Sequence, residues 1–336
     1  MSDDKRSDDN RPTIYDVARQ AGVSKSLVSL VLRDSPGVSE KRRTAVLQAI
    51  TELGYQPSRA AATLAGHHSR SIGVIIDDYR NMWFVELLEG IRHVMDAHGY
   101  HVTVSDQHST GVLRQSALDG FLSMNVDGIV FAAEPGTEGI RPVGVPVVIA
   151  GARDTTMVGA DIVRNDDALG ARLAVDYLVG LGHRHIGHLT AAGGSAARRR
   201  EGYQEAVQAA GLTPHLAGLG GPATEEGGYQ ACLALLRAAP ELTAILAAND
   251  TMAFGALAAL SEQGRAVPTD VSLMGYDNSP LAASRYLDLT TVDNRNFDVG
   301  VQAAETLLAR ITQNDPAIPP ISIPPALVTR SSTAPR

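Results

Sequence analysis

Five acidic or amide side chains sit where short apolar runs end. Asp77 and Asp78 follow SIGVII, Asn249 and Asp250 follow AILAA, and Asp277 follows VSLMGY. Such runs, separated by helical stretches, read as parallel strands buried on both faces. Ligands of open α/β sheets bind beyond the carboxyl ends of those strands. A carboxylate there accepts hydroxyl protons, and an amide both donates and accepts. That chemistry is recognition of a small polar molecule. A simpler role competes with it, because Asp and Asn also cap the turns and helices that follow strands.

Signatures of bond-making chemistry are missing from the sequence. It holds no G-x-x-x-x-G-K-[ST] loop, no G-x-G-x-x-G after a strand and no G-x-S-x-G elbow. AGGSAARRR is basic and contains glycine, a faint phosphate signal. His183, His185 and His188 in LGHRHIGHL have the look of a metal cluster. Two of them alternate along an entering strand, and no Cys or acidic ligand is close in sequence, so packing accounts for them better. Cys232, the single cysteine, lies in the helical run 229–237 and reads as a buried, inert thiol. No catalytic residue, metal or cofactor is expected.

The elements that must position the polar strand ends begin at Ser71. SIGVII is followed by an amphipathic helix from about Phe84 to His98. HVTVS, DGIVF and VPVVIAG are further strands. After Val163 the alternation begins afresh: helix 168–181, strand HIGHLT, helix 196–210, helix 225–238, strand AILAAN, helix 251–263 and strand VSLMGYD. Two successive sets imply two similar lobes with parallel sheets.

Upstream of Ser71 the pattern changes to short helices. Thr13 can cap the first and Asp16 suits its first turn. Ile14, Val17, Ala18 and Ala21 recur at helical spacing, and Gly22 is a stop. Ser24 restarts a helix after a turn of two or three residues. In that second helix Leu27, Val28, Val31 and Leu32 can pack inward, leaving Lys25, Ser26 and Ser29 outward near its N-terminus. Ser39 opens a third helix that ends at Gly54. Helix, glycine turn, helix is the unit whose second helix is sized for a DNA major groove. Residues 11–70 carry nine Lys/Arg against four Asp/Glu in a chain of net charge −8, a basic head on an acidic body.

TIYDVARQAGVSKSLVSLVL, VSEKRR and LGYQPSRAAATLAG together resemble the headpiece and hinge of the LacI/GalR family of transcription regulators. The likeness continues in order through IGVIIDDYRNMWFVELLEGI, VDGIVF, LGHRHIGHL, RRREGY, ILAANDTMAFGAL, VSLMGYDNSPLA, LTTVDN and LVTRSST, covering nearly the whole chain from residue 13. The resemblance implies an all-α helix-turn-helix domain (13–57) and a hinge helix with linker (58–70). It further implies a periplasmic-binding-protein-like α/β core (71–336) whose chain crosses three times between lobes. Lobe one would comprise about 71–163 and 291–322, and lobe two about 164–290 and 323–336. Residues 1–12 read as a disordered tail.

The resemblance also assigns residues. Lys25 and Ser26 match the base-reading positions. Leu30 stands where many members have arginine, and an apolar side chain there meets a thymine methyl or nothing. Thr13, Tyr15, Ser24, Ser29, Ser39, Lys41 and Arg43 are expected at phosphates. Residues 58–65 are too short for an isolated helix, which needs roughly 12–15 residues. Such segments order in the minor groove at the operator, with Leu64 as the wedge and Arg59 beside it. Effector contacts are expected from Asp78, Trp83, Phe84, Arg199, Asn249 and Asp277, and replacing Arg199 or Asp277 is expected to spare the effector-free fold. Two departures stand out: Ala223 replaces a usual aromatic, and NMWF replaces the commoner Asn-Pro-Phe-Phe.

Composition agrees. A hydrophobic content of 44% and one cysteine suit a globular chain in a reducing compartment, hence cytoplasmic. No stretch approaches a membrane span and no leader is evident. The expected protein is a homodimeric, effector-controlled repressor of operator DNA, with a sugar or polyol as effector. A nucleoside- or purine-responsive regulator is the alternative, and an α/β enzyme with accessory helices a more distant one. No heptad tail follows LVTRSSTAPR, so a tail-mediated tetramer is not expected.

Overall fold

The structure is a computed structural model that describes residues 12–32, 36–55, 69–106, 117–133, 143–151, 157–313 and 318–336. The chain divides into two compact units, Met1–Ser69 and Arg70–Arg336. The expected tail, and the hinge segment with Arg59 and Leu64, lie outside the described residues.

In the first unit, α1 (Ile14–Gln20), α2 (Lys25–Leu32) and α3 (Glu40–Leu53) surround one small core. Val17, Val28, Val31, Val46 and Ala49 are buried in it, and Tyr55 closes its end. Gly22 takes φ +63° between α1 and α2, and Gly54 takes φ +61° after α3, where a side chain would be strained. Asp16 accepts from the Thr13 N–H at 2.9 Å and the Thr13 hydroxyl at 2.6 Å, holding the chain at the start of α1. Ser24 Oγ accepts from the Leu27 N–H at 3.2 Å and starts α2. Gln20 reaches Glu52 of α3 at 2.5 Å. One expectation fails: Leu32 is 37% exposed, because the core is closed by Val28 and Val31 and offers no place for a residue one position beyond.

The second unit has two parallel sheets. The first has strand order β11-β5-β4-β3-β1-β2. It is built from β1 (Ser71–Ile76), β2 (His101–Asp106), β3 (Gly128–Phe131), β4 (Val147–Ala150), β5 (Asp161–Asn165) and β11 (Ile321–Ile323). The second has order β7-β6-β8-β9, from β6 (Ile186–Leu189), β7 (His215–Ala217), β8 (Ala244–Ala247) and β9 (Ser272–Met274). Central strands β3, β4, β6 and β8 are buried throughout, as covering on both faces demands. The covering helices are α4 (Trp83–Ala97), α5 (Ala117–Ser123), α6 (Asp167–Gly180), α7 (Gly194–Ala209), α8 (Glu225–Ala238), α9 (Asp250–Glu262) and α10 (Asn296–Gln313). Three begin at side-chain caps: Asp166 accepts from Leu169, Thr224 from Gly227 and Asn249 from Met252.

The chain passes between lobes three times. It leaves the first sheet after β5, whose end leads straight into α6. It returns through β10 (Thr291–Asp293) to α10, which packs on α4, and to β11, which pairs with β5. It leaves again through β12 (Ala326–Val328), antiparallel to β10, and the last residues bond back to the second lobe at Leu273 and His183. The sequence pattern starts the second lobe after Val163 and marks no strand at DIVRN, where β5 runs. Asp161 hid it: this 1%-exposed carboxylate looks like a surface residue but accepts from Arg310 and the Ile318 N–H.

Lobe one depends on close approach of α4 and α10. A β-carbon at Gly90 would collide with the backbone of Phe297 and Val301, and one at Gly300 with that of Leu87 and Ile91. Overpacking of this kind costs roughly 1–3 kcal/mol. Gly90→Ala is therefore expected to lower the urea midpoint of the effector-free protein without changing the slope of the transition. An unchanged midpoint would mean that the two helices separate at no cost.

Candidate functional site

The carboxyl ends of strands from both lobes face one cleft of about 580 Å³, open mouth included. Asp77, Asn81 and Trp83 contribute from lobe one. Ser195, Arg199, Ala223, Asn249 and Asp277 contribute from lobe two, with small residues between them.

Arg199 sits on the second turn of α7 and is 5% exposed. Its Nε donates to Asp167 at 2.7 Å, and one Nη lies 3.2 Å from Asp277. The other donates to the Ala248 carbonyl at 2.5 Å, and the guanidinium stacks 3.8 Å from the centre of the Tyr276 ring. Asp277 also accepts from the Asn294 amide at 3.0 Å. Its backbone is held at φ +103°, an unusual conformation for a residue with a side chain, and its N–H donates to Val292. Asp250, nearby and buried, accepts from the Thr291 hydroxyl and the Ser279 N–H, each at 2.7 Å.

One guanidinium thus bonds two buried carboxylates, Asp167 and Asp277, and acts on a third, Asp250, only at longer range. Burial resists its charge, but Asp167 and Asp277 outweigh burial and hold Arg199 further above its ordinary value. The three acids also act on one another as like charges. Burial, with Asp250 and Asp167 as like-charged neighbours, pushes Asp277 up to about 7 against the pull of Arg199. Burial pushes Asp250 up to about 6 despite its two donors.

The remaining expected contacts divide. Trp83 lines the cleft and packs edge-to-face on Phe84, with ring centres 5.0 Å apart. Phe84 itself is 2% exposed in the lobe-one core and is not a cleft residue: one position further along α4 points it to the sheet. Asp78 is also corrected. It pairs with Arg80 at 2.6 Å, and Asp77 is the strand-end carboxylate that lines the cleft. Adjacent acids after a strand point to opposite sides, and sequence does not say which side is the cleft. Asn249 borders the cleft while capping α9 and donating to the Ala223 carbonyl. Sequence pattern does not single out Asp167 and Asn294, the partners of Arg199 and Asp277. Asp167 reads as an ordinary first-turn acid, and only Asn294's place in the TVDN run hints at a role.

His188, His183 and Cys232 are structural. His188 is wholly buried, with Nδ1 at 2.9 Å from the Leu246 carbonyl and its ring stacked on Tyr203. Burial depresses it to about 4, so it is neutral. His183 bonds Thr243 and the Ala334 carbonyl. Burial pushes the Cys232 thiol up to about 12, far from a thiolate.

In the first unit, Tyr15, Lys25, Ser26 and Leu30 are exposed on α1 and α2. Lys25 Nζ lies 3.3 Å from the Tyr15 hydroxyl and 4.9 Å above its ring, which couples the first turns of both helices. Thr13, Ser24, Ser39 and Lys41 are also exposed, whereas Ser29 and Arg43 are half-buried.

Comparison with known proteins agrees with both halves. Residues 13–58 match the profile described as bacterial regulatory proteins, lacI family. Residues 175–333 match the periplasmic binding protein-like domain. The chain is 32% identical to the HTH-type transcriptional repressor PurR of Edwardsiella ictaluri, covering 96% of this chain and 97% of the relative. The chain belongs to the LacI family. It is 31% identical to the ribose operon repressor of Haemophilus influenzae, covering 95% and 98% of the two chains. Among solved structures, the lac repressor dimer bound to operator and the anti-inducer ONPF superposes with a TM-score of 0.83 at 29% identity, covering 97% and 100%. The chain is accordingly a DNA-binding transcriptional regulator with a helix-turn-helix domain and a binding-protein-like core. No helix among the described residues is long and apolar enough to cross a membrane.

The Arg199 geometry revises the expectation that its loss spares the fold. Arg199→Ala leaves buried carboxylates without their cation and is expected to lower the unfolding free energy by about 3–5 kcal/mol, measured by urea denaturation without effector. Stability equal to wild type would remove the network from the forces that hold lobe two. The pH response follows from Asp277. Its folded value, about 7, lies above the ordinary 3.8. Its contribution is therefore complete below 3.8 and lost as pH rises through about 7. Wild type should lose stability relative to Asp277→Asn as pH rises from about 4 to about 8. A difference that grows in the other direction would mean that Arg199 keeps Asp277 ionised.

Proposed function

We propose that this chain is a homodimeric repressor whose operator affinity is set by a small polyhydroxylated molecule, a sugar or polyol, bound in the interlobe cleft. The observation that carries the reading is the Arg199–Asp277 pair, buried at the strand ends of lobe two and facing Asp77 and Trp83 of lobe one. A carboxylate, a guanidinium fork and an indole match the hydroxyls, ring oxygen and C–H face of such a ligand. The ribose operon repressor among the relatives supports the ligand class, and the lac repressor dimer on operator supports the assembly. The nucleoside or purine alternative rests on Trp83, whose indole lines the cleft and offers a surface for a base. Action is by binding, in a family of transcription regulators, with no chemical step.

Lys25 and Ser26 are proposed as base readers and Leu30 as an apolar contact. Thr13, Tyr15, Ser24, Ser29, Ser39, Lys41 and Arg43 bind phosphates, and Tyr15 also holds Lys25. Arg59 and Leu64 act in the minor groove, and lobe closure sets the distance between the two hinges. A ligand thermal-shift screen over sugars, polyols and nucleosides, followed by gel shift on the chain's own upstream DNA, tests the proposal. Failure of every sugar and polyol, with a nucleoside active, would select the alternative.

Two substitutions probe the DNA side. Lys25→Ala should cost roughly 1–3 kcal/mol at the cognate base and less on unrelated DNA; equal weakening everywhere would make Lys25 a phosphate contact. Leu64→Ala should reduce both the ratio of specific to non-specific affinity and the operator bend, because a methyl does not hold a base step open. If neither changes at fixed salt, residues 58–66 are a passive linker.

A further inference from the structure

His185, His215 and Glu241 form a row at the edge of lobe two opposite the cleft. His185 precedes β6, His215 opens β7 and Glu241 lies just before β8. These strands are neighbours in the order β7-β6-β8 and run parallel, so their starts share one edge. One ligand atom from each residue lies within 4.8 Å of the others. His215 Nε2 is 3.9 Å from a Glu241 carboxylate oxygen.

The backbones carrying the set are anchored. The His185 carbonyl accepts from the Thr243 N–H at 3.0 Å, which ties the start of β6 to that of β8. The Tyr203 hydroxyl accepts from the His215 N–H at 3.0 Å and donates to the Ile186 carbonyl at 2.8 Å, which ties β7 to β6. The side chains reach solvent: His185 and Glu241 are exposed and His215 is half-buried.

We propose that this edge binds a zinc-class divalent cation through His185, His215 and Glu241, with water in the fourth position. Two imidazoles and a carboxylate are the donor set of open zinc sites. Magnesium and calcium prefer all-oxygen shells and are selected against. Rotation of the exposed side chains brings the donors to bonding distance, while the anchored strands supply the spacing. The ion clamps β7, a three-residue outer strand without a fully buried residue, onto the sheet. The histidines of LGHRHIGHL do not converge on one another, since His183 and His188 turn into the core. The partners of His185 stand at the starts of two other strands, so no single stretch of sequence shows the group.

The test uses the full chain, treated with EDTA and then freed of it, titrated with zinc sulfate by calorimetry and followed by thermal unfolding. One equivalent of zinc should bind per chain and raise the unfolding temperature; equal magnesium should do neither. His185→Ala, His215→Ala and Glu241→Gln should each weaken binding by roughly tenfold or more, at least the loss seen when a supporting partner is removed. Their metal-free circular dichroism should match wild type. His67→Ala with His68→Ala should bind zinc as wild type does. Heats indistinguishable from buffer would overturn the proposal, and so would unchanged affinity in both His185→Ala and His215→Ala.

Discussion

Arg199 is the group on which the rest of the core depends. Its charge stands at the meeting of α6, α7 and the ends of β8 and β9, through Asp167, Ala248 and Asp277. The chain of bonds continues outward. Asp277 accepts from Asn294, and the Asn294 carbonyl accepts from the Asn165 amide. Asn165 ends β5, where the chain first leaves lobe one, and Asn294 follows β10, where it returns. The buried ion pair and two crossover segments are therefore one connected structure. A molecule that exchanges its own groups for any of these bonds acts on the segments that join the lobes.

Such a network costs solvation and returns it only when every partner is present. Among the described residues the Arg199 guanidinium stands amid Asp167, Asp250 and Asp277, so the buried acids outnumber it. Hydroxyl protons from a ligand can serve the carboxylates without adding charge, whereas an anionic ligand would worsen the imbalance. The unusual backbone angle at Asp277 fits this picture. The N–H bond to Val292 and the side-chain bonds to Arg199 and Asn294 hold the residue from both ends, so its conformation is over-determined.

The first unit is held by different means. Its core is a handful of valines and alanines with Tyr55 at the end, small enough that single bonds between helices matter. Gln20–Glu52 and Lys25–Tyr15 are such bonds, and the second lies on the exposed face that carries Lys25, Ser26 and Leu30. The pair holds the lysine in place at the start of α2, which would reduce the ordering cost of the base contact proposed for it.

Much was legible in the sequence because it is carried by local pattern. Apolar runs of strand length, helical spacing and Gly22 and Gly54 at left-handed positions sufficed for the two fold types and for placing polar residues at strand ends. The ordered motifs were enough to recognise the family. What sequence did not resolve depends on direction or on contacts between distant strands. Asp77 faces the cleft and Asp78 does not, Phe84 packs in the core and Trp83 borders the site, and a one-residue step decides each case. Strand β5 escaped notice because its buried Asp161 is matched by Arg310, far along the chain. The partners of Arg199, Asp277 and His185 are likewise remote in sequence. Sequence by itself determined which residues carry usable chemistry and roughly where they stand. Only the tertiary structure decided which of them meet, because burial, pairing and shared charge are properties of neighbours that folding alone brings together.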